Sequence, residues 1–225
     1  GSQRVAFSEQ DVAARKYFIG LMNNAGLEVY IDFAGNIIGK RGGKNSELPP
    51  ITFGSHLDTV PNGGMYDGIV GSVAALEVIE ILNHHDVVTN HPLEMIVFSD
   101  EEGGLTGSRA LIGKLGPEAL KVMSHSGKTI ADGIRFLGGD PARLEEMQRK
   151  RGDIAVFLEL HIEQGGVLDR EGLNIGIVEG IVGIEWWDVI IGGIANHAGT
   201  TPMQGRQDAV LAGSKFALAV NEITK

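Results

Sequence analysis

One loop near the start of the chain holds side chains that could bind a metal ion. The segment "GSHLDTVPNGGMYDG", residues 54–68, places His56, Asp58 and Asp67 among glycines and a proline. Such turn residues do not allow regular structure for long. Imidazole and carboxylate ligands without cysteine suit Zn²⁺, with Mn²⁺ or Co²⁺ as alternatives. A single carboxylate such as Asp67 can also bridge two metals, so the loop indicates a divalent metal site.

Two later segments add ligands of the same kind. Glu101 and Glu102 follow the apolar run "PLEMIVFSD", and His161 closes the run "DIAVFLELHI". Because neighbouring side chains diverge, one glutamate can bind a metal while the other stays free as a general base. Asp58 is placed to hold the far nitrogen of His56, which would fix the tautomer of the ring. A lone histidine at the end of a strand is usually a surface residue, and only the combination points to a metal site.

The elements around these residues explain how they could meet. "ITFG" reads as a buried strand, and a helix is expected over residues 68–83 before the next strand. The order strand, helix, strand, helix, strand predicts an α/β fold, a mixed and mostly parallel sheet with helices on both faces. An N-terminal helix opening at Ser8 and a strand pair turning at residues 34–36 precede it. In such sheets, ligands bind at the carboxyl ends of the strands.

Composition excludes several classes of protein. The 225 residues are 43% hydrophobic and 21% charged, with a net charge of -10 and no cysteine. The negative charge argues against nucleic acid and anionic membrane surfaces as partners. Without cysteine there is no disulfide and no thiolate zinc site, and we expect a cytoplasmic protein. No apolar run is long enough to predict a transmembrane helix.

The pattern changes near Gly180. The stretch "IGIVEGIVGIEWWDVIIGGIANHAG" is rich in strand-forming residues, and a helix is expected over residues 208–222. One strand pair and one helix make a poor domain alone. We therefore predict a metal-binding catalytic domain at residues 1–182 and the beginning of a small α+β lid or dimerisation domain at residues 183–225.

Four motifs together carry a family resemblance. "GSHLDTVPNGG-YDG", "DEEGG", "ELHIEQG" and "NHAGTTPM--R-DA" resemble the di-zinc aminoacylase and carboxypeptidase-type metallohydrolases. The match is closer to their amidase branch, the N-carbamoyl-L-amino-acid hydrolases, β-ureidopropionase and allantoate amidohydrolase. The resemblance covers nearly the whole chain and implies a zinc-exopeptidase-like fold with two Zn²⁺ per site.

The resemblance implies a role for each matching residue. The metal ligands would be His56, Asp67 as the bridge, Glu102 and His161. Glu101 would be the general base that takes a proton from the attacking water, and Asp58 would orient His56.

The substrate side of the site follows from the same resemblance. Gln164 would contact the substrate, and His197 would donate to the oxygen that becomes negative in the tetrahedral intermediate. Asn196 and Arg206 would support substrate binding. The alternative for Arg206 is that it only caps or pairs on the following helix.

Further expectations concern the backbone and the assembly. The resemblance implies a cis peptide between Asp67 and Gly68 and a homodimer through the lid domain. It also implies a last metal-ligand histidine that this sequence does not contain, so we expect a truncated chain with little or no activity. Met65 stands where many relatives carry a basic residue.

The expected activity is metal-dependent hydrolysis of a linear carbon–nitrogen bond in an N-carbamoyl amino acid or an allantoate-like ureide. Two alternatives stay open. One is a dipeptidase or aminoacylase on the same scaffold, and the other is a non-catalytic fragment that binds metal without turnover.

Overall fold

The computed structural model describes residues 2–224 and divides the chain into two compact units, Gly1–Asn174 and Ile175–Lys225. The predicted domain division at residue 182 stays a prediction. None of the helices within residues 2–224 combines the length and apolar character that a membrane span requires.

A five-stranded mixed sheet forms the centre of the first unit, with the strand order β1-β2-β4-β3-β5. Strand β1 pairs antiparallel with β2 and β2 antiparallel with β4, whereas β3 pairs parallel with both β4 and β5. The predicted α/β fold is confirmed, although its pairings are evenly split because the β1–β2 hairpin adds two antiparallel ones. The strands are β1 Glu28–Ile31, β2 Ile37–Arg41, β3 Ile51–His56, β4 Leu93–Phe98 and β5 Val156–Leu158.

Helices connect and cover these strands. Ser8 accepts a hydrogen bond from the Asp11 backbone N–H and caps the first helix, as the sequence predicts. Short 3₁₀ turns at Ala119–Lys121 and Leu144–Met147 lie between the later helices. The helices of this unit are α1 Glu9–Asn24, α2 Ile69–His84, α3 Glu101–Gly104, α4 Thr106–Leu111, α5 Ile130–Phe136 and α6 Val167–Glu171.

The sheet has a buried core on each face because residues on a strand alternate in direction. On one face, Met95 and Val97 of β4 pack in a cluster with residues of α1 and α2 such as Met22 and Ile79. On the other face, Ile96 and Phe98 cluster with Leu111 of α4 and with Ile38. Helices therefore cover both faces, as predicted.

The second unit contains α7, Ala209–Ile223, capped by the side chain of Asp208. The strands predicted after Gly180 do not form: residues 175–196 contain no regular strand in the part of the chain that the structure describes. The physical reason is that a strand needs a neighbour for its backbone N–H and C=O groups, and no described strand lies beside this segment. Its apolar side chains are exposed, with Ile177 at 91% and Trp186 at 89%.

Candidate metal centre

The carboxyl ends of β3, β4 and β5 deliver the predicted ligands to one edge of the sheet. His56 is the last residue of β3, Glu101 opens α3 shortly after β4, and His161 follows β5. These three strands are parallel neighbours, so their ends meet. Two clusters of potential metal ligands result, one of His56, Asp67 and His161 and one of His56, Glu101 and Glu102, with ligand atoms within 4.8 Å of one another.

The first cluster centres on the carboxylate of Asp67. Its Oδ1 lies 3.1 Å from Nε2 of His161 and 3.9 Å from Nε2 of His56. The two imidazole rings stack with centroids 5.8 Å apart. Asp67 comes from the loop before α2, so the cluster joins three separate segments of the chain.

Backbone carbonyls set the orientation of both histidine rings. Nδ1 of His56 lies 3.0 Å from the carbonyl oxygen of Asp58, and Nδ1 of His161 lies 2.9 Å from that of Ile162. A carbonyl oxygen can only accept, so each Nδ1 carries the proton and donates it. In the neutral form of each ring, Nε2 then presents a lone pair to the cluster, the form in which histidine binds a metal.

The ligand atoms of the first cluster fit a bound cation. Within residues 2–224, Nε2 of His56 and Oδ1 of Asp67 are buried polar atoms without a hydrogen-bond partner. Burying an unpaired acceptor costs about 1–3 kcal/mol. The lone pairs of Asp67 Oδ1 and His161 Nε2 also face each other, which is favourable only with positive charge between them. A nitrogen and oxygen donor set of this kind suits Zn²⁺.

The second cluster contains both glutamates at the start of α3. Oε2 of Glu101 lies 3.6 Å from Nε2 of His56. Burial raises the pKa of Glu101 above its ordinary value. Burial, together with the carboxylate of Asp67, raises the pKa of Glu102 to about 7. Raised pKa values of this kind are expected where several carboxylates share a site.

Asp58 lies beside Nδ1 of His56, where the sequence predicts it, but its main chain makes the closer contact. Its backbone carbonyl holds the ring of His56, whereas its carboxylate oxygen lies 3.8 Å from Nδ1. The carboxylate accepts the backbone N–H groups of Glu101 at 3.3 Å and Glu102 at 3.1 Å. One buried residue therefore fixes the histidine ring through its main chain and the glutamate pair through its side chain.

A buried arginine lies behind this arrangement and was missed by the sequence reasoning. Arg15 of α1 is 4% exposed, and it donates to the carbonyl oxygen of Gly35. Burial lowers its pKa, while the charges of Asp11 and Asp58 raise it. Burial raises the pKa of Asp11 itself to about 6. The only sequence signal would have been a charged residue on the apolar side of a predicted helix.

Gln164 lies beside Asp67 at the candidate metal centre, and its contact with a substrate stays a prediction. Its Nε2 donates to Oδ2 of Asp67 at 2.7 Å, and its backbone has a positive φ of 55°. The side-chain amide of Gln164 therefore hydrogen-bonds Oδ2 of Asp67, whereas both histidines face Oδ1.

The remaining predicted residues line a cavity of about 450 Å³ in the second unit. Nδ1 of His197 accepts the backbone N–H groups of Gly199 and Thr200, so its proton lies on Nε2. Arg206 donates to the carbonyl oxygens of Ala198, Thr201 and Pro202 and so holds the His197 loop together. Asn196 lines the same cavity.

The prediction of a cis peptide bond between Asp67 and Gly68 is wrong. No peptide bond among residues 2–224 is cis. Gly68 makes the turn into α2 with φ 67°, a region of backbone conformation that is open to glycine and rarely adopted by residues with a Cβ. A Cβ at this position would lie 2.5 Å from the ring of His56, so the backbone is in direct contact with the imidazole.

Comparison with known proteins places the chain in a family. Residues 52–225 match the model of peptidase family M20/M25/M40. The N-carbamoyl-L-amino acid amidohydrolase of Geobacillus stearothermophilus is 43% identical over 99% of this chain and 56% of its own length. The ureidoglycolate hydrolase of Arabidopsis thaliana is 40% identical over 97% of this chain and 48% of its own length.

Solved structures show the same relationship. A hydantoinase/carbamoylase family amidase from Burkholderia ambifaria superimposes with a TM-score of 0.72 at 33% identity, over 99% of this chain and 55% of its own. The chain thus spans about half the length of the relatives that it matches. The resemblance read from the sequence motifs is confirmed, and the chain belongs to peptidase family M20/M25/M40.

Proposed function

We propose that this chain carries the metal-binding part of a hydrolase that cleaves linear carbon–nitrogen bonds in N-carbamoyl amino acids or ureides such as allantoate. The observation that carries the proposal is the pair of buried, unpartnered ligand atoms, His56 Nε2 and Asp67 Oδ1, beside the lone pair of His161. The names of the similar proteins support carbamoyl and ureido groups as the substrate class.

His56, Asp67 and His161 would hold one metal, and Glu102 would hold a second. For Asp67 to bridge the two, the amide of Gln164 would have to leave Oδ2 of Asp67, to which it donates at 2.7 Å. When bound, Zn²⁺ polarises the carbonyl or ureido oxygen and lowers the pKa of water. The two backbone carbonyls that accept from the histidine Nδ1 atoms select the neutral tautomer whose Nε2 lone pair can bind a metal.

Glu101 would act as the general base. Its carboxylate accepts a proton from the attacking water while the water oxygen bonds to the substrate carbon, and it returns a proton to the leaving nitrogen. Burial raises the pKa of Glu101, which makes its carboxylate a stronger proton acceptor than an exposed glutamate. Asp58 keeps this carboxylate in place by accepting the backbone N–H of the same residue at 3.3 Å.

His197 would donate from Nε2 to the negative oxygen of the tetrahedral intermediate. The supporting observation is that its Nδ1 accepts two backbone N–H groups, which leaves the proton on Nε2. Asn196 and Arg206 would shape the substrate side. The homodimer through the second unit stays a prediction.

The proposal is tested first by metal content. The zinc content of the purified chain is measured by elemental analysis after incubation with Zn²⁺ and dialysis. His56→Ala is measured beside it, with the control His84→Ala at an exposed histidine outside both clusters. We expect at least one zinc in the wild type and in His84→Ala and less in His56→Ala. Equal zinc in all three proteins would refute the metal centre.

Activity then separates the candidate reactions. The zinc-loaded chain is assayed with an N-carbamoyl amino acid, allantoate, an N-acyl amino acid and a dipeptide. Turnover of the first two supports the amidase proposal, and turnover of the last two supports an aminoacylase or dipeptidase. Zinc binding with no turnover of any substrate supports the non-catalytic alternative.

A further inference from the structure

One fully buried side chain, Asn36, contacts both ends of the segment that carries the two glutamates. Its Oδ1 accepts the backbone N–H of Ser99 at 2.9 Å, and its Nδ2 donates to the carbonyl oxygen of Gly107 at 3.3 Å. Asn36 is 0% exposed and lies at the β1–β2 turn, far from this segment in sequence. We propose that Asn36 is a positioning residue for Glu101 and Glu102, an inference that rests on the proposed function of these carboxylates.

Asp32 fixes the orientation of this amide. Its Oδ2 accepts from Nδ2 of Asn36 at 2.8 Å, and its Oδ1 accepts the backbone N–H groups of Ala34 and Asn36, both at 2.9 Å. Nδ2 therefore faces two acceptors, and Oδ1 faces a donor. Only one of the two amide orientations satisfies all of these contacts.

The same turn packs directly on the segment. The hydroxyl of Ser99 donates to the carbonyl oxygen of Ala34 at 2.7 Å. A Cβ on Gly107 would lie 1.9 Å from Oδ1 of Asn36, so the amide rests against the bare backbone. Gly107 in turn donates its N–H to the carbonyl oxygen of Ser99 at 2.9 Å, which closes the segment into a loop at its two ends.

The segment needs such support because its own geometry is irregular. Asp100 and Leu105 have positive φ values of 48° and 53°, which cost energy for residues other than glycine and persist only where surrounding contacts impose them. Asp58 holds the middle of the segment through the N–H groups of Glu101 and Glu102. Asn36 holds the two ends, so the carboxylates are fixed by contacts outside the metal centre.

Three variants of the full chain test the inference. Asn36→Asp keeps an oxygen that accepts the N–H of Ser99. It replaces the amide nitrogen, which donates to Asp32 and to the carbonyl of Gly107, by a second oxygen that can only accept when ionised. The double variant Asp32→Asn with Asn36→Asp restores one donor between the two side chains but none toward Gly107. Ile79→Ala removes a buried side chain from the core on α2 and serves as the control for general destabilisation.

Two measurements are made at conditions where the variants and the control are equally far below their melting temperatures. The first is Zn²⁺ affinity by competition with a chelator, with Glu102→Gln identifying the binding that depends on the glutamates. The second is hydrogen exchange of the amides of residues 99–107 in the metal-free protein.

We expect Asn36→Asp to weaken the Glu102-dependent Zn²⁺ affinity by about tenfold, the lower end of the effect of removing a group that hydrogen-bonds a metal ligand, because Asn36 acts through the backbone of the segment. Exchange should rise in residues 99–107 and not elsewhere. The double variant should regain melting temperature but not Zn²⁺ affinity. Equal affinity and exchange in Asn36→Asp and Ile79→Ala would overturn the inference. If the wild type binds no Zn²⁺, the proposed function fails, and the exchange pattern alone decides the role of Asn36.

Discussion

A methyl group added at Gly71 should disturb the metal centre from a distance, because α2 packs unusually close to the strand ends there. A Cβ at Gly71 would lie 2.2 Å from the carbonyl oxygen of Leu160 and 2.7 Å from Cβ of Ser55. These are backbone and stem atoms that cannot rotate away. Leu160 directly precedes the proposed ligand His161, so relief of the clash must move the backbone that carries this histidine.

The expected loss of unfolding free energy in Gly71→Ala follows from two opposing effects. Overpacking of this kind costs about 1–3 kcal/mol, and we take about 3 kcal/mol because the nearest contact is with backbone. Alanine gains roughly 1 kcal/mol over glycine inside a helix. Gly71→Ala should therefore lose about 2 kcal/mol of unfolding free energy. The matched control is Gly20→Ala in α1, where a Cβ would meet nothing within 4 Å, and which should gain about 1 kcal/mol.

The assay is urea unfolding followed by far-ultraviolet circular dichroism. Tryptophan fluorescence is unsuitable, because both tryptophans, Trp186 and Trp187, lie in the second unit. Zn²⁺ affinity is measured on the same proteins and should fall in Gly71→Ala only. Unfolding free energies of Gly71→Ala and Gly20→Ala within about 0.5 kcal/mol of each other would refute the reasoning.

Two further predictions concern buried carboxylates. Burial raises the pKa of Asp11 to about 6. The stability linked to this shift, about 3 kcal/mol, is fully present below pH 4 and is lost as the pH rises through 6. Asp11→Asn keeps an acceptor for the N–H of Phe7 and should remove this loss of stability. Urea unfolding between pH 4 and 7 measures it, and an unfolding free energy that depends on pH as in the wild type would contradict the prediction. Asp58→Asn leaves one acceptor for the two N–H groups of Glu101 and Glu102. It should weaken Zn²⁺ affinity by about tenfold, measured by competition with a chelator. Affinity equal to that of the wild type would mean that the carboxylate of Asp58 is dispensable.

Much of the fold and the meeting point of the ligands could be predicted because they follow from local patterns. Apolar runs broken by turn residues predict strands and helices, and parallel neighbours bring their carboxyl ends together. His56 and His161 come from strand ends that are far apart in sequence, yet the alternation of strands and helices already places them at one edge. Both lie there in the structure.

Contacts between a side chain and a distant backbone could not be predicted in the same way. The spacing of His56 and Asp58 shows that they are close but not which oxygen faces the ring, and the structure uses the main chain. Asn36 looks like an ordinary turn residue in the sequence, because nothing local indicates its contacts with Ser99 and Gly107. The strands predicted after Gly180 failed for a related reason, since strand propensity cannot supply a neighbouring strand.

The pairing of β5 with β3 also sets the order in which the site can be assembled. Ile51 pairs with Val156, about a hundred residues later, whereas the ligands from His56 to Glu102 lie within a much shorter stretch. Closing the longer loop costs more chain entropy and slows folding. His161 therefore joins the cluster only when this last strand docks. A metal held by His161, as proposed, would stabilise the docked strand by mass action, so metal uptake and completion of the sheet would be one coupled equilibrium.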